Sequence, residues 1–323
     1  MRLPEEYVCT PDGLEPDPLT GDLILACPNF ADLSMPSCIC RIDKNRKIKK
    51  WFDLPLNPAT GEARAMGIGF GPDHDLYIVD NQGWLEDRAD LQFQGRILRV
   101  RMDGDTIEKV TVVADGMEHP NGLRIRGRNI YVTQSYLHKE PCDEGLYSCV
   151  YRFDLDDENI HVTNTFEDKN IAATFITRNP NCQYGVDGIV FDQDGNLIIG
   201  NFGDGELYRL KLDEEGNVVS NELWTGDPEQ LQSTDGMTRD TEGNIYIADF
   251  SANALGCVSP DGTVTRLAQD PDSDGLNGEL DQPGEPCFWD GKIIISCFDL
   301  VTGDDKVDTG HTMPATLCML RLG

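Results

Sequence analysis

Four residues with oxygen-bearing side chains stand directly before a glycine, at the threshold of a β-rich run: Asp12 in PDGLEP, Asn121 in PNGLRI, Asp187 in VDGIVF and Asp235 in TDGMTR. Any one Asp-Gly or Asn-Gly pair reads most simply as a turn, because these residues tolerate the backbone conformations that tight turns need. Four in similar contexts ask for more. Asp and Asn oxygens are hard donors, and a set without His or Cys suits calcium ahead of zinc. Three carboxylates brought to one narrow place raise each other's pKa, and a bound divalent cation relieves that repulsion. Such an ion can polarise a carbonyl or phosphoryl oxygen while a neighbouring carboxylate takes a proton or attacks, which is metal-assisted hydrolysis.

The elements that must position these residues recur along the chain. An apolar run, a tight turn and a second β-rich run appear as DPLTGDLILAC (17–27), FGPDHDLYIVD (70–80), IRGRNIYVTQ (125–134), FDQDGNLIIGN (191–201), RDTEGNIYIAD (239–249) and FWDGKIIISC (288–297). Anchored on Leu23, Leu76, Ile130, Leu197, Ile245 and Ile293, the intervals are 53, 54, 67, 48 and 48 residues. Further strand pairs follow in 95–113, 149–166, 205–223 and 254–268, and no helix-period segment competes. Four antiparallel strands at this period read as one β-propeller blade, so the chain is expected to be an all-β, six-bladed β-propeller forming a single domain over 1–323. The sixth unit lacks a strand, and the N-terminal segment around EEYVC is expected to complete it, closing the ring and removing an exposed sheet edge. The 67-residue interval places an insertion near DKNIAATFITRNPNCQ, while 84–94 and 301–314 read as long loops that wall or cover an entrance. Innermost strands of a propeller run along its axis, so their starts ring one end of the channel: Asp12, Met66, Asn121, Asp187, Asp235 and Glu285.

Charge and composition narrow the partners. With 27 basic against 57 acidic residues the formal charge is −30, which repels phosphate backbones and anionic membranes. Nucleic acid and membrane are therefore not expected partners, whereas a small-molecule substrate is. The eleven cysteines are an odd number, no CxxC occurs, and the opening MRLPEEYVCT has neither a basic n-region nor an apolar h-region. Free thiols in a reducing cytoplasm are expected. Cys38 and Cys40 alternate as residues on one strand face do, which favours core packing over a metal or redox pair.

HPNGLRI (119–125), GVDGIVFDQDGNLIIGN (185–201), STDGMTRDTEGNIYIAD (233–249) and the six-unit register resemble the SMP-30, gluconolactonase and luciferin-regenerating family, with the related diisopropylfluorophosphatase-like propellers. The resemblance implies one divalent cation in the channel, calcium before zinc, manganese, magnesium or ferrous iron, on a Glu of blade one, Asn residues of blades three and four and an Asp of blade five. Carried onto this chain, the ligands are Asp12, Asn121, Asp187 and Asp235. Asp12 replaces the Glu, with Glu15 as the alternative, and Asp187 replaces the Asn of many members. A second, structural calcium of the diisopropylfluorophosphatase-like members does not carry over, because Thr238 and Cys287 stand at its positions. The implied reaction is hydrolysis of a small cyclic ester, a lactone, with phosphotriester cleavage as a side activity and Asp235 as base or nucleophile. Sugar-lactonase members carry an Arg where His119 stands, which weighs against an aldonolactone and leaves His119 as a proton shuttle or a wall residue bonded to a neighbour.

Second strands return toward the ligand face, so residues at their ends border the mouth: Asn81, Gln134, Tyr136, Asn201, Phe202, Phe250 and Phe298, joined by His119. Amides and aromatics together suit a substrate with polar and apolar parts. Two other readings stay open, a catalytically silent ligand-binding or scaffold propeller and a metal-dependent lyase or isomerase. Outside the ring, DPDSDGLNGELD (270–281) puts Asp at positions 1, 3, 5 and 12 and Gly at 6, near the calcium-loop pattern of an EF-hand. Without flanking helices or a Glu at position 12, a plain acidic loop is the expectation.

Overall fold

The hairpin turns are held by local hydrogen bonds. At Asp192, the backbone N–H donates to Asn196 O (2.9 Å), the Asp192 carboxylate takes the N–H groups of Asp194 and Asn196 (3.0 and 2.8 Å), and Gly195 supplies the left-handed residue at φ +81°. Asp240 repeats the arrangement with Glu242, Asn244 and Gly243. These turns join the first and second strands of blades four and five.

The computed structural model describes residues 1–85 and 87–321. Six antiparallel sheets follow one another around a channel. Blade one is Leu14–Pro16, Leu23–Cys27, Cys38–Ile42 and Ile48–Asp53; blade two is Ala65–Phe70, Leu76–Asp80, Gly95–Asp103 and Thr106–Met117. Blade three is Pro120–Arg126, Asn129–Gln134, Leu146–Asp154 and Ile171–Thr177, and blade four is Val186–Phe191, Leu197–Asn201, Glu206–Leu212 and Val218–Gly226. Blade five is Met237–Arg239, Ile245–Asp249, Ala254–Val258 and Val264–Gln269; blade six is Pro283–Trp289, Lys292–Cys297 and Leu317–Arg321. The second strands are buried on both faces because a blade packs on a neighbour at either side, which is why they read as continuous apolar runs. Val264–Gln269, an outer strand, alternates half-buried and exposed residues instead.

Two expectations are corrected. The ring does close through the N-terminus, but residues 1–3 make the contact: Arg2 bridges Thr316, Leu3 N–H donates to Ala315 O and Leu317 N–H to Met1 O, both at 2.8 Å. EEYVC forms a turn instead. Pro4 has no N–H to continue the ladder, and its carbonyl accepts from Tyr7 and Val8. In blade three the outer strand is not within 149–166 but is Ile171–Thr177, inside the segment read as insertion. Ile160–His161 leaves that blade altogether and pairs in parallel with blade two at Ala114–Asp115.

All the cysteines are free thiols. Cys27, Cys38 and Cys40 lie in the apolar core beside blade one, with Sγ atoms 3.9 Å apart from Cys40 to each of the others, a spacing within reach of one metal ion as well as of packed thiols. Among the described residues no helix is long and apolar enough to cross a membrane.

The glycine after each channel residue has a packing cause. A Cβ on Gly13 would lie 2.3 Å from Met66 O, on Gly67 2.4 Å from Asn121 O, on Gly122 2.8 Å from Asp187 O and on Gly188 2.1 Å from Asp235 O. Each inner strand thus leans its glycine on the backbone of the next blade. Gly188→Ala should destabilise the fold by about 1–3 kcal/mol or more, because a backbone carbonyl cannot step aside. Gly310→Ala, with nothing within 4 Å, should be near neutral. Urea denaturation of the two variants checks the contrast.

Candidate metal centre

Inner strands carry a bulge where they meet the second strand: Met66–Gly67 lie between the pairs Ala65–Asp80 and Ile68–Ile78, Asn121–Gly122 between Pro120–Gln134 and Leu123–Val132, and Asp187–Gly188 between Val186–Asn201 and Ile189–Ile199. Two residues thus face one, which re-aims the first side chain into the channel. Asp12–Gly13 and Asp235–Gly236 do the same against Ala26 and Ala248 through backbone hydrogen bonds. Blade six differs. Its bulge is Gly284–Glu285, so Gly284 takes the position of the donors and Glu285 falls one residue later. A one-residue slip sends a strand side chain the other way.

Asp12, Asn121, Asp187 and Asp235 accordingly line one cavity of about 130 Å³, together with Met66. Asp12, Asn121 and Asp187 are buried, and Asp235 is half-buried. The Asn121 amide nitrogen donates to Asp187 Oδ2 at 2.6 Å and to Tyr184 Oη at 3.1 Å, leaving its oxygen as the polar atom to offer the cavity. Burial, and then the charge of Glu285, pushes Asp12 up to about 8. Burial first and Asp12 second hold Asp187 well above the ordinary carboxylate range; for Asp235, Asp187 follows burial. Glu15 is not at the cavity. It lies one layer deeper with Arg124, whose guanidinium donates to Glu285 Oε1 at 2.7 Å, and burial raises its carboxyl to about 7. Asp12 is therefore the blade-one residue that faces the cavity.

Above this acidic floor stands a ring of aromatics. Phe202 meets Phe250 and Phe250 meets Phe298 at 5.8 Å between centroids, Trp84 lies 5.6 Å from Phe298, and Tyr184 lies 4.9 Å from Phe202. Of the residues expected at the mouth, Phe202, Phe250 and Phe298 line the cavity. His119 sits behind it, its Nε2 2.8 Å from Tyr184 Oη and its ring 4.6 Å from Tyr136; burial drops its pKa to about 3. Gln134 holds Glu118 N–H, Tyr136 O and Asn164, and Asn201 holds Thr177, Ile176 O and Asp204, so both amides tie loops rather than face the cavity. Asn81 is fully buried next to the turn Gln82–Trp84.

Sequence reading missed Tyr184, Trp84, Cys182, Val301 and Lys306, which complete the lining. Trp84, like Phe202, closely follows a second strand, a signal that was available. Lys306, its ammonium 6.0 Å from the Phe202 ring centre, comes from a long loop that no repeat describes.

No protein-family profile matches the chain, and no curated protein matches it. Its structure is similar to solved six-bladed propellers: a luciferin-regenerating enzyme (12% identity, TM-score 0.62, 94% of this chain and 90% of that one), a calcium-binding protein, regucalcin, from Agrobacterium tumefaciens strain C58 (14%, 0.60, 94% and 87%) and a gluconolactonase from Xanthomonas campestris (15%, 0.57, 90% and 83%). These names fall in the group that the motifs resemble. At such identities the likeness establishes the fold.

The raised Asp12 carboxyl fixes a pH dependence for metal-free protein. Below about pH 4 the group is protonated folded and unfolded; between its ordinary 3.8 and about 8 the unfolded chain releases a proton that the folded one keeps. The unfolded state binds fewer protons there, so stability falls as pH rises and the loss is complete above about 8. In chelator, Asp12→Asn should gain stability over the unsubstituted protein at pH 8 and not at pH 4.5, read as the difference in urea midpoints.

Proposed function

We propose that the protein is a metal-dependent hydrolase of a small cyclic ester, a lactone, acting in the channel cavity. The observation that carries this reading is the floor itself: three carboxylates and one amide, from four blades, lining a single cavity beneath an aromatic ring. The donor chemistry fits a hard divalent ion, calcium foremost, because every candidate ligand offers oxygen and the raised carboxyl groups lack a cation of their own. Among the described residues, the one acidic group with three oxygens within 4.8 Å of each other is Asp272, Asp281 and Asp308, outside the channel, so the channel carboxylates stand farther apart than that. The likeness to a protein described as calcium-binding and to one described as a gluconolactonase supports the same assignment.

Asp12, Asn121, Asp187 and Asp235 would hold the ion, which supplies polarisation of the substrate carbonyl. Asp235 is the half-buried member, nearest to being reached by a substrate, and takes the proton of the attacking water or attacks directly. Tyr184, held by His119, fixes Asn121 against Asp187. His119 stays neutral through the working pH range and serves as that hydrogen-bond partner rather than as a charged group. Phe202, Phe250, Phe298 and Trp84 hold the apolar part of the substrate and keep water out. Lys306 is a cation on the cavity wall at a different place from the Arg of sugar lactonases.

Asp235→Asn keeps an oxygen for the ion but accepts no proton at neutral pH. It should lower lactone hydrolysis about a hundredfold to ten-thousandfold with metal content unchanged. Asp187→Asn should retain more activity. Hydrolysis assays on a panel of γ-lactones, with metal content by elemental analysis, check both; full turnover in both variants with the ion bound would sink the mechanism.

A further inference from the structure

The loop 270–281, between the last strand of blade five and the first of blade six, does not fold as its EF-hand-like spacing suggests. Asp270 accepts the N–H of Leu280 at 2.8 Å and Asp274 that of Leu276 at 3.0 Å, so both carboxylates serve their own loop. Asn253 closes the loop from beneath, its amide donating to Asp270 O, Pro271 O and Leu280 O and accepting from Gln282 N–H. Glu279 accepts from Asn277, and the remaining two acidic residues face elsewhere. Asp272 and Asp281 meet Asp308, which arrives from the loop between Lys292–Cys297 and Leu317–Arg321, and one oxygen of each lies within 4.8 Å of the others.

Asp308 gives this cluster a direction. It is 4% exposed, and neither of its carboxylate oxygens makes a hydrogen bond of ordinary geometry, its polar neighbours being the Gly310 and Thr309 N–H groups and the Asp299 carboxyl. Asp281 is 3% exposed, and Asp299, 2% exposed, has one oxygen without such a bond as well. Among the described residues no Lys or Arg pairs with any of the four. The nearby Lys306 is engaged by Asp305, and His311 stands 3.5 Å from Asp299. A buried carboxylate without a cation is costly, and here several share one place.

We propose that Asp272, Asp281 and Asp308 form a second divalent-cation site, separate from the channel, that takes an oxygen-preferring ion of the calcium class. Three carboxylates supply the charge, and water and backbone carbonyls complete the six to eight oxygens such an ion accepts. The site joins two loops that reach the cavity. Gln282, next to Asp281, accepts the N–H groups of Leu300 and Val301 at 2.8 Å each, and Val301 and Lys306 line the cavity wall. An ion at the cluster holds Asp308, two residues from Lys306, against Asp281, and so orders that wall.

Equilibrium dialysis of the full-length protein with radioactive calcium alone as the probe tests this, comparing Asp308→Asn and Asp281→Asn with the channel double variant Asp12→Asn/Asp187→Asn. The expected result is loss of one bound calcium per chain, or an affinity at least about tenfold lower, in the two loop variants, with that calcium kept by the channel variant. A thermal melt in chelator guards against misfolding, because removing a repelling charge should leave Asp308→Asn as stable as the parent or more so. Calcium should also slow tryptic cleavage after Lys306 in the parent and not in Asp308→Asn. Calcium binding by Asp308→Asn and Asp281→Asn with parental stoichiometry and affinity would overturn the proposal, as would a parent that binds no calcium beyond what the channel double variant loses.

Discussion

The distance between neighbouring inner strands governs this molecule. Where Gly122 and Gly188 rest on the carbonyls of the next blade, there is no room for a Cβ, and the six strand starts are drawn into a narrow ring. The bulge at each start turns the preceding residue inward. Glycine and donor are therefore parts of one device: the first allows the approach, and the second is delivered by it. The same closeness places Asp12, Asp187 and Asp235 within one another's field in a buried part of the channel, where repulsion is screened little. The chemistry offered by the site is a consequence of a packing distance.

Much of this was legible in the sequence because it repeats. Six hairpins with a common turn grammar fixed the blade count and the register of five channel residues, and the phenylalanines after second strands were recognisable as a rim. What escaped was what does not repeat. In blade six the order is Gly284–Glu285 rather than acid then glycine, so a count from the turn gives Glu285 a place that the bulge assigns to Gly284. The fourth strand of blade three lay hidden because Asn164 and its neighbours form a loop before Ile171, and Ile160–His161 pairs with a different blade. Pro4 ended the closing strand after three residues, a signal present in the sequence but passed over when EEYVC was given the strand that the sixth unit lacks. Amides at Gln134 and Asn201 had the right positions for substrate contacts, but loop carbonyls and N–H groups needed them, and a sequence does not show where unpaired backbone will fall.

The acidic residues of the interior meet three different fates, and the contrast between them is informative. In the deeper channel layer, Arg124 stands between Glu15 and Glu285 and donates to the latter, so the protein supplies its own cation. At Asp80, fully buried, Arg96, Gln82 and the Arg64 N–H do the same. At the channel floor, and again where Asp272, Asp281 and Asp308 meet, no Lys or Arg among the described residues pairs with the carboxylates. A chain with more than twice as many acidic as basic residues has few cations to spend, but it has placed them at buried carboxylates elsewhere with hydrogen-bonding geometry.

Surface acidity alone does not account for that division. Exposed carboxylates are solvated and cost little, whereas Asp187 and Asp308 are as buried as Asp80 and differ from it in lacking a guanidinium. If the two uncompensated groups were only inert packing, replacing an Asp with a neutral isostere would be favourable, and the fold would gain stability at no structural cost. The arrangement is instead consistent with charge held back for an ion: each group gathers oxygens from separate blades or loops, so that binding one cation ties together parts of the chain far apart in sequence. In the channel that ion would meet a substrate beneath the aromatic ring; at the loops it would meet none, and its effect would be confined to holding the wall that carries Val301 and Lys306.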